Sequence, residues 1–489
     1  MILKICLIGA EVAPFSKTGG LADVCSALSK YLQAAGHDVR VFTPLYSAID
    51  RTAADLHALP GLQDVPLEIG PRRLRYSVWA APLPGARAEI YFIDCPALYA
   101  RSDLYTTDPD EHLRFIALTR AALDCCQRMS FSPQILHAHD WHAAFAPLYL
   151  QVIYQKDALF KRTRSVLTIH NIGYQGTFAA SAVADVGVGT HTDRLHQDDL
   201  RAGYINSLKH GILYADAITT VSPTYAREIC SDEYGMGLQS VLRARARALS
   251  GILNGADYEE WDPRHDRYLP SHYDAAHLKT KAALKRQFLA RCKLKVGARA
   301  PLVGFVSRMA SQKGFDITFD ALPRALAERD FALVGLGSGE ARYEDYFASL
   351  QQRFPGRVLF HRGYSDELAH WIEAASDVFL MPSLYEPCGL NQMYSLRYGT
   401  VPLVRRTGGL ADTVEHYERA TRRGTGIVFD DFSAAAFAQA LATALDLYAQ
   451  RDHWRQLVAN GMQQDFSWTR QAGLYVELYE RLARGATES

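Results

Sequence analysis

Two cations five residues apart, Arg308 and Lys313, stand in "VSRMASQKG" directly after an apolar run, and a glycine closes the stretch. Cations so placed suit a diphosphate whose charge grows as it departs, because preorganised positive groups stabilise a developing anion. Most Arg and Lys side chains are merely solvated; the position at a strand end favours the chemical reading here. A third cation, Lys17, opens "KTGGLADV", and Arg405-Arg406 lead into "TGGLADT". The phrase T-G-G-L-A-D therefore occurs twice, at Thr18–Asp23 and Thr407–Asp412, in unlike surroundings. Gly19-Gly20 and Gly408-Gly409 allow backbone to approach a ligand closely, and a following helix offers N–H groups to an anion. A plain strand-to-helix turn would use the same glycines; the neighbouring cations tip both copies towards phosphate.

Other polar clusters also follow apolar runs. "HAHDWHA" at 137–143 gathers His137, His139, Asp140 and His142. Strand alternation puts His137 and His139 on one face, so two metal ligands are geometrically possible. No cysteine or third compact ligand set completes a cage, so no metal is expected. The preferred reading is a polar sugar-binding edge with Trp141 as a flat apolar face. His170 and Asn171 end the run in "TIHNIGYQG", placed for a ligand in the same way. In "PSLYEPCGLNQ", Glu386 is placed to accept from sugar hydroxyls while backbone amides near Cys388 and Gly389 touch the same ligand. A charge stabilising a helix N-terminus is the plainer alternative for Glu386.

These residues need elements to position them, and the apolar pattern supplies twelve. Short β-rich runs at "LKICLIGA", "DVRVFTP", "EIYFID", "QILHAHD", "SVLTIHN" and "AITTVSP" alternate with helical patterns in the first half. The second half repeats the plan at "PLVGFVSR", "FALVGLGS", "RVLFHRG", "DVFLMPS", "TVPLVRR" and "GIVFDD". Continuous hydrophobic strands between amphipathic helices predict parallel sheets covered on both faces. The expected fold class is α/β, with two doubly wound Rossmann-like domains. Asn254-Gly255 and Asp262-Pro263 punctuate the divide, which gives residues 1–254, residues 255–464, and a terminal helix in 465–489. The stretch from Gly173 to Arg201 reads as a long loop with little regular structure, and such loops are often functional.

Composition narrows the partners. The 53 basic and 53 acidic residues cancel, which removes the electrostatic reason to expect nucleic acid or an anionic membrane. No stretch of about 18 apolar residues predicts a membrane span. Eight scattered cysteines without a CxxC pair suit reduced thiols and a cytoplasmic setting. A nicotinamide oxidoreductase would need GxGxxG after the first strand and an acid ending the second. The sequence has "GAEVAPFSKTGG" and "VFTPLYS" there, so that class falls. A non-catalytic carbohydrate-binding or scaffold protein stays open, although it would have little use for phosphate loops in both halves.

Taken in order along nearly the whole chain, "KTGGLADV", "HAHDWHA", "TIHNIGYQG", "VSPTYAREI", "GILNGADY", "SRMASQKG", "PSLYEPCGLNQ" and "RYGTVPLVRRTGGLADTV" carry a family resemblance. The chain resembles the bacterial glycogen synthases and plant starch synthases. The resemblance implies a GT-B architecture with an interdomain active-site cleft, and a terminal helix that crosses back to the first domain. It implies a retaining transferase that moves glucose from ADP-glucose to an α-1,4-glucan such as glycogen, without metal or other cofactor. A UDP-glucose enzyme, or one making a small glucoside such as maltose 1-phosphate, is the alternative on the same fold. By position, the resemblance puts Lys17, Gly19, Gly20 and Asn171 on the donor side and Arg308 and Lys313 on its diphosphate. Thr407, Gly408 and Gly409 lie at the same phosphates, and Tyr364 stacks on adenine. His170, Glu386, Cys388, Gly389 and Leu390 surround the transferred glucose, and Asp140, Trp141 and Tyr99 serve the acceptor. Three positions depart from the family pattern. Tyr394 takes the second acid of E-x7-E, Arg101-Ser102-Asp103 replaces R-P-G, and Ala256 replaces an apolar residue in "NGADY".

Overall fold

The computed structural model describes residues 1–297 and 299–485. The chain forms two compact units: Met1–Val221, Ala226–Gly255 and the segment from Trp468 make one, and Ser222–Tyr225 with Ala256–Ser467 the other. All twelve strands read from apolar runs are present, six in each unit.

In the first unit Lys4–Ile8 lies mid-sheet, parallel to Asp38–Pro44 on one side and Ile135–His139 on the other. Glu89–Asp94 extends the first side. Arg164–Ile169, Ala217–Thr220 and a short Leu249–Gly251 extend the second. Ile5, Leu7, Ile8, Leu136 and Leu167 are wholly buried, as strands covered on both faces must be. Beyond Glu89–Asp94 the sheet turns antiparallel, adding Arg72–Pro82, which also pairs with Val65–Ile69. The apolar-run criterion passes over this hairpin, because every second residue of Val65–Ile69 faces solvent. Gly70-Pro71 joins its strands, with φ +52 at Gly70.

The stretch from Gly173 to Arg201 is more ordered than its composition suggests. Thr177–Ala179 pairs with Tyr204–Asn206, and 3-10 turns at Ala180–Val186 and Thr192–Arg194 precede a short helix, Gln197–Arg201. Asp185 fastens it by accepting two bonds from Arg72, at 2.8 and 3.1 Å. Elements this short leave no periodicity to read. The terminal helix Trp468–Gly485 completes the first unit: Tyr475 and Tyr479 are fully buried, and the Tyr479 hydroxyl lies 2.7 Å from His137 Nδ1.

The second unit is a six-stranded parallel sheet. Its order is Val358–Arg362, Ala332–Gly337, Leu302–Val306, Val378–Met381, Val401–Arg405, Ile427–Phe429. Successive residues point to opposite faces. Val303 and Phe305 enter one apolar cluster with Phe347 and Leu441, and Leu302 enters another with Phe288 and Ile372.

Candidate active site

The first sheet reverses its winding between Lys4–Ile8 and Ile135–His139, and ligands of open α/β sheets bind beyond strand ends at such a point. The chain leaving Ile8 puts Glu11 there, 2% exposed. Its carboxylate accepts from Thr18 N–H (2.5 Å), the Thr18 hydroxyl (2.7 Å), Gly19 N–H (3.3 Å) and the Tyr105 hydroxyl (2.5 Å). Two amides that the sequence offers to a phosphate are thus occupied by the protein's own acid. What the loop leaves open is space: a Cβ on Gly19 or Gly20 would meet nothing within 4 Å. The Lys17 ammonium sits 2.8 Å from Asp23 on the following helix, Gly20–Ala34.

Across the reversal, Asp140 adopts φ +54, a costly value for a residue with a Cβ. The strain is offset by what the side chain holds: Oδ1 accepts from the N–H groups of His170 (2.7 Å) and Asn171 (3.4 Å), tying two strand ends together. Burial pushes the Asp140 carboxyl up to about 7. His170 Nε2 is 2.9 Å from His139 Nδ1, and burial pushes His170 down to about 3, so its imidazole is neutral. Asn171 accepts from Gly173 N–H at 2.9 Å. His137 has one ring nitrogen 2.6 Å from the Thr168 hydroxyl and the other 2.7 Å from the Tyr479 hydroxyl. Trp141 is half-buried; a Cβ at Gly176 would lie 2.1 Å from its indole, so the backbone there approaches the ring as only glycine allows.

Tyr99 does not join this surface. It is 1% exposed, and its hydroxyl donates to the Arg114 carbonyl at 2.7 Å, so it anchors its short helix Pro96–Tyr99 in the core. The tyrosine that reaches the strand ends is Tyr105, in a polar stretch that gives no sequence signal. Glu11 carries one weak sequence signal, a carboxylate just past a buried strand.

The second sheet reverses between Leu302–Val306 and Val378–Met381. Arg308 leaves the first of these strands exposed, its Nη2 3.3 Å from Gln312. Lys313 pairs at 2.6 Å with Glu386, which is 4% exposed and also accepts from the Ser383 hydroxyl at 3.0 Å. Cys388 is buried, and the Gln392 amide donates to the Cys388 and Gly389 carbonyls, both at 3.0 Å. Leu390 caps the helix Asn391–Tyr398, and the Asn391 amide donates to the Val306 carbonyl at 2.7 Å. The Glu386 loop is therefore fastened to the strand that launches Arg308. Thr407–Gly409 back the same loop, with Gly409 N–H donating to the Glu386 carbonyl at 3.0 Å. Tyr364, just past the strand Val358–Arg362, is 66% exposed, and its hydroxyl lies 2.7 Å from Asp366. Tyr394 is buried and lies flat on Trp261 at 4.4 Å, while Trp261 covers His370 at 3.7 Å. An aromatic stack fills the place that the wider E-x7-E pattern gives to an acid.

Known proteins resemble this chain in sequence and fold. Residues 4–244 match the starch synthase catalytic domain, and residues 289–460 match glycosyl transferases group 1. The chain is 44% identical over 486 residues to the glycogen synthase of Anaeromyxobacter dehalogenans (strain 2CP-C), covering 98% of this chain and 100% of that one. It is 39% identical over 483 residues to the glycogen synthase of Thermotoga maritima, covering 98% and 99%. Among solved structures, the catalytic domain of starch synthase IV from Arabidopsis thaliana, bound to ADP and acarbose, superposes with TM-score 0.91 at 34% identity, covering 99% and 100%. A sucrose-phosphate synthase from Thermosynechococcus elongatus shares the fold alone, with TM-score 0.61 at 18% identity over 99% and 100%. By its sequence, its two doubly wound GT-B domains and the order of its strand-end residues, the chain belongs to the glycogen and starch synthase family of glycosyltransferases.

Proposed function

We propose that the chain transfers glucose from ADP-glucose to the non-reducing-end 4-hydroxyl of an α-1,4-glucan, with retention at the anomeric carbon. The observation that carries this reading is the Lys313–Glu386 pair beside exposed Arg308 at a strand-end reversal. In the reaction the bond from C1 to the glucan oxygen forms as the bond from C1 to phosphate breaks. The departing phosphate takes the hydroxyl proton. Arg308 and Lys313 neutralise the charge that grows on the diphosphate, and Lys17 adds a further cation to the donor. When Lys313 turns to phosphate, Glu386 is left to accept from sugar hydroxyls. Neutral His170 hydrogen-bonds the transferring glucose without adding charge, Tyr364 offers its face to adenine, and Asp140 and Trp141 serve the glucan. The protein chiefly orients reactants and stabilises charge, which typically accounts for much of a transferase's rate.

ADP rather than UDP is supported by the nucleotide in the Arabidopsis relative. The reading needs no metal, because the cations already supply positive charge. It places the enzyme in the cytoplasm with reduced thiols, a reading supported by eight cysteines that stand outside any disulfide; no helix among the described residues is long and apolar enough to cross a membrane. The test incubates pure protein and glycogen with ADP-glucose or UDP-glucose and measures released nucleotide, with and without a chelator. Release of ADP with growth of the glucan is expected, unchanged by chelation. Preference for UDP-glucose, or nucleotide release without glucan growth, overturns the reading.

A further inference from the structure

The Glu11 carboxylate divides its four partners by type. Oε2 faces two backbone amides, Thr18 N–H and Gly19 N–H, which can only donate. Oε1 faces two hydroxyls, of Thr18 and Tyr105, which can turn to donate or accept. Tyr105 is held at both ends. Its ring stacks on His142 at 5.0 Å, and His142 lies 4.2 Å from the Trp141 ring. Its loop is pinned by Arg101 on Asp108 (2.6 Å) and Asp110 (2.7 Å), and by the fully buried Arg114 on the Leu104 carbonyl (2.9 Å). One buried acid therefore joins the loop bearing Lys17 to the loop whose Tyr105 stacks on His142, the ring beside Trp141.

We infer that Glu11 is a positioning residue that sets the Lys17–Gly19 loop and couples it, through the Tyr105 hydroxyl, to the Trp141 face, so that donor and glucan bind interdependently. The inference rests on the proposed function, which puts donor on the Lys17 loop and glucan on Trp141, which Tyr105 reaches through His142. Its mechanism is mechanical: a glucan that shifts the Tyr105 loop moves the carboxylate that holds the amides of Thr18 and Gly19.

The geometry gives a sharp pair of variants. Glu11→Gln can meet all four partners, with its oxygen on the amides and its NH2 on the two hydroxyls. Glu11→Leu leaves two N–H groups without an acceptor. Glu11→Leu should lose roughly 100-fold in kcat/KM for ADP-glucose, while Glu11→Gln should stay within about 5-fold of the parent. Tyr105→Phe keeps the ring stack and the amide bonds and removes only the link; it should raise KM for ADP-glucose about 5-fold with little change in kcat. Added to Glu11→Leu, Tyr105→Phe should cost the donor nothing more, because both act through one contact. Titration of ADP with and without a maltooligosaccharide reads the coupling directly. Glucan should change ADP affinity in the parent and not in Tyr105→Phe, and this arm stands even if Glu11→Leu fails to fold. Glutamine as damaging as leucine, donor losses that multiply, or an unchanged glucan effect in Tyr105→Phe would overturn the inference. Parent protein that moves no glucose to glycogen sinks the proposed function instead; normal transfer with multiplying losses sinks only the coupling.

Discussion

The two T-G-G-L-A-D loops share six residues and almost nothing else. In the first copy the glycines look onto open space, and the closing Asp23 holds a partly exposed lysine. In the second the glycines are jammed against the chain: a Cβ on Gly408 would lie 1.9 Å from the Glu386 carbonyl oxygen, and one on Gly409 2.1 Å from that of Cys388. Its closing Asp412 accepts from the N–H (2.7 Å) and hydroxyl (2.6 Å) of Thr224. A glutamate receives each loop, by its carboxylate at Glu11 and by its main-chain carbonyl at Glu386. The phrase thus encodes a strand-to-helix entry with room for close backbone approach. Whether a ligand or the protein itself fills that room is decided by the surroundings.

Glycine substitution should expose this difference most strongly. Gly408 has φ +43, so alanine there meets both backbone strain and a carbonyl oxygen that cannot move aside. Gly408→Ala should destabilise the second unit by more than about 3 kcal/mol and abolish transfer. Gly19 has φ −161, an extended value open to any residue, and Gly20 begins a helix, where alanine is the better former. Gly19→Ala and Gly20→Ala should leave urea unfolding within about 0.5 kcal/mol of the parent and instead weaken ADP binding. Equal destabilisation by Gly19→Ala and Gly408→Ala would erase the contrast.

The sequence discloses the parts of these loops that repeat a pattern and conceals those that depend on a partner far along the chain. The twelve core strands are legible because strands buried on both faces must be continuously apolar. The hairpin from Val65 to Pro82 is not, since its first strand is only five residues long and broken by Pro66 and Glu68, and Arg72, Arg73 and Arg75 crowd its turn. Lys313 and Glu386 are legible separately from their strand-end positions; their 2.6 Å pairing is not, because they stand 73 positions apart in the chain. Tyr99 shows the opposite failure. Its place after an acceptor-like motif points to a ligand, yet Arg114, fifteen residues on, claims its hydroxyl and the core claims its ring.

A second distinction is titration. The first unit's strand ends carry buried ionisable groups that pull in opposite directions. Asp140 has its pKa raised to about 7 against an ordinary 3.8, first by burial. Its contribution to stability is fully present below the ordinary value and is lost as pH rises through 7. His137 and His170 are lowered to about 3 from 6.5, also by burial, so their contribution is present above 6.5 and is lost as pH falls towards 3. Asp140→Asn keeps an acceptor for the His170 and Asn171 amides but cannot ionise. Relative to the parent it should gain stability from pH 4 to pH 8, on the order of 2 kcal/mol at the upper end, read as Tm against pH. A difference that stays flat across that range would mean Asp140 ionises as an ordinary carboxylate.

The smallest expected effect tests the last residue of the repeated phrase. Asp412 and Asp23 occupy the same place in the motif, but the bonds they hold differ in kind. Thr224 belongs to the short segment Ser222–Tyr225, which sits with the second unit, and Asp412 holds it by one amide and one hydroxyl. Asp412→Ala leaves an amide without that acceptor, which should cost about 1–2 kcal/mol and persist in high salt, because the loss is a hydrogen bond to a neutral donor. Asp23 and Lys17 form an ion pair whose side chains are 32% and 48% exposed. Such pairs contribute little, since water and salt screen them and two side chains must be held still. Asp23→Ala should therefore change stability by under about 0.5 kcal/mol, and added salt should remove even that. Chemical denaturation of both variants at low and high salt gives four values. If Asp23→Ala matched Asp412→Ala and resisted salt, the first loop would be a fixed structural joint like the second, and its open face would not mark it as the one left for a ligand.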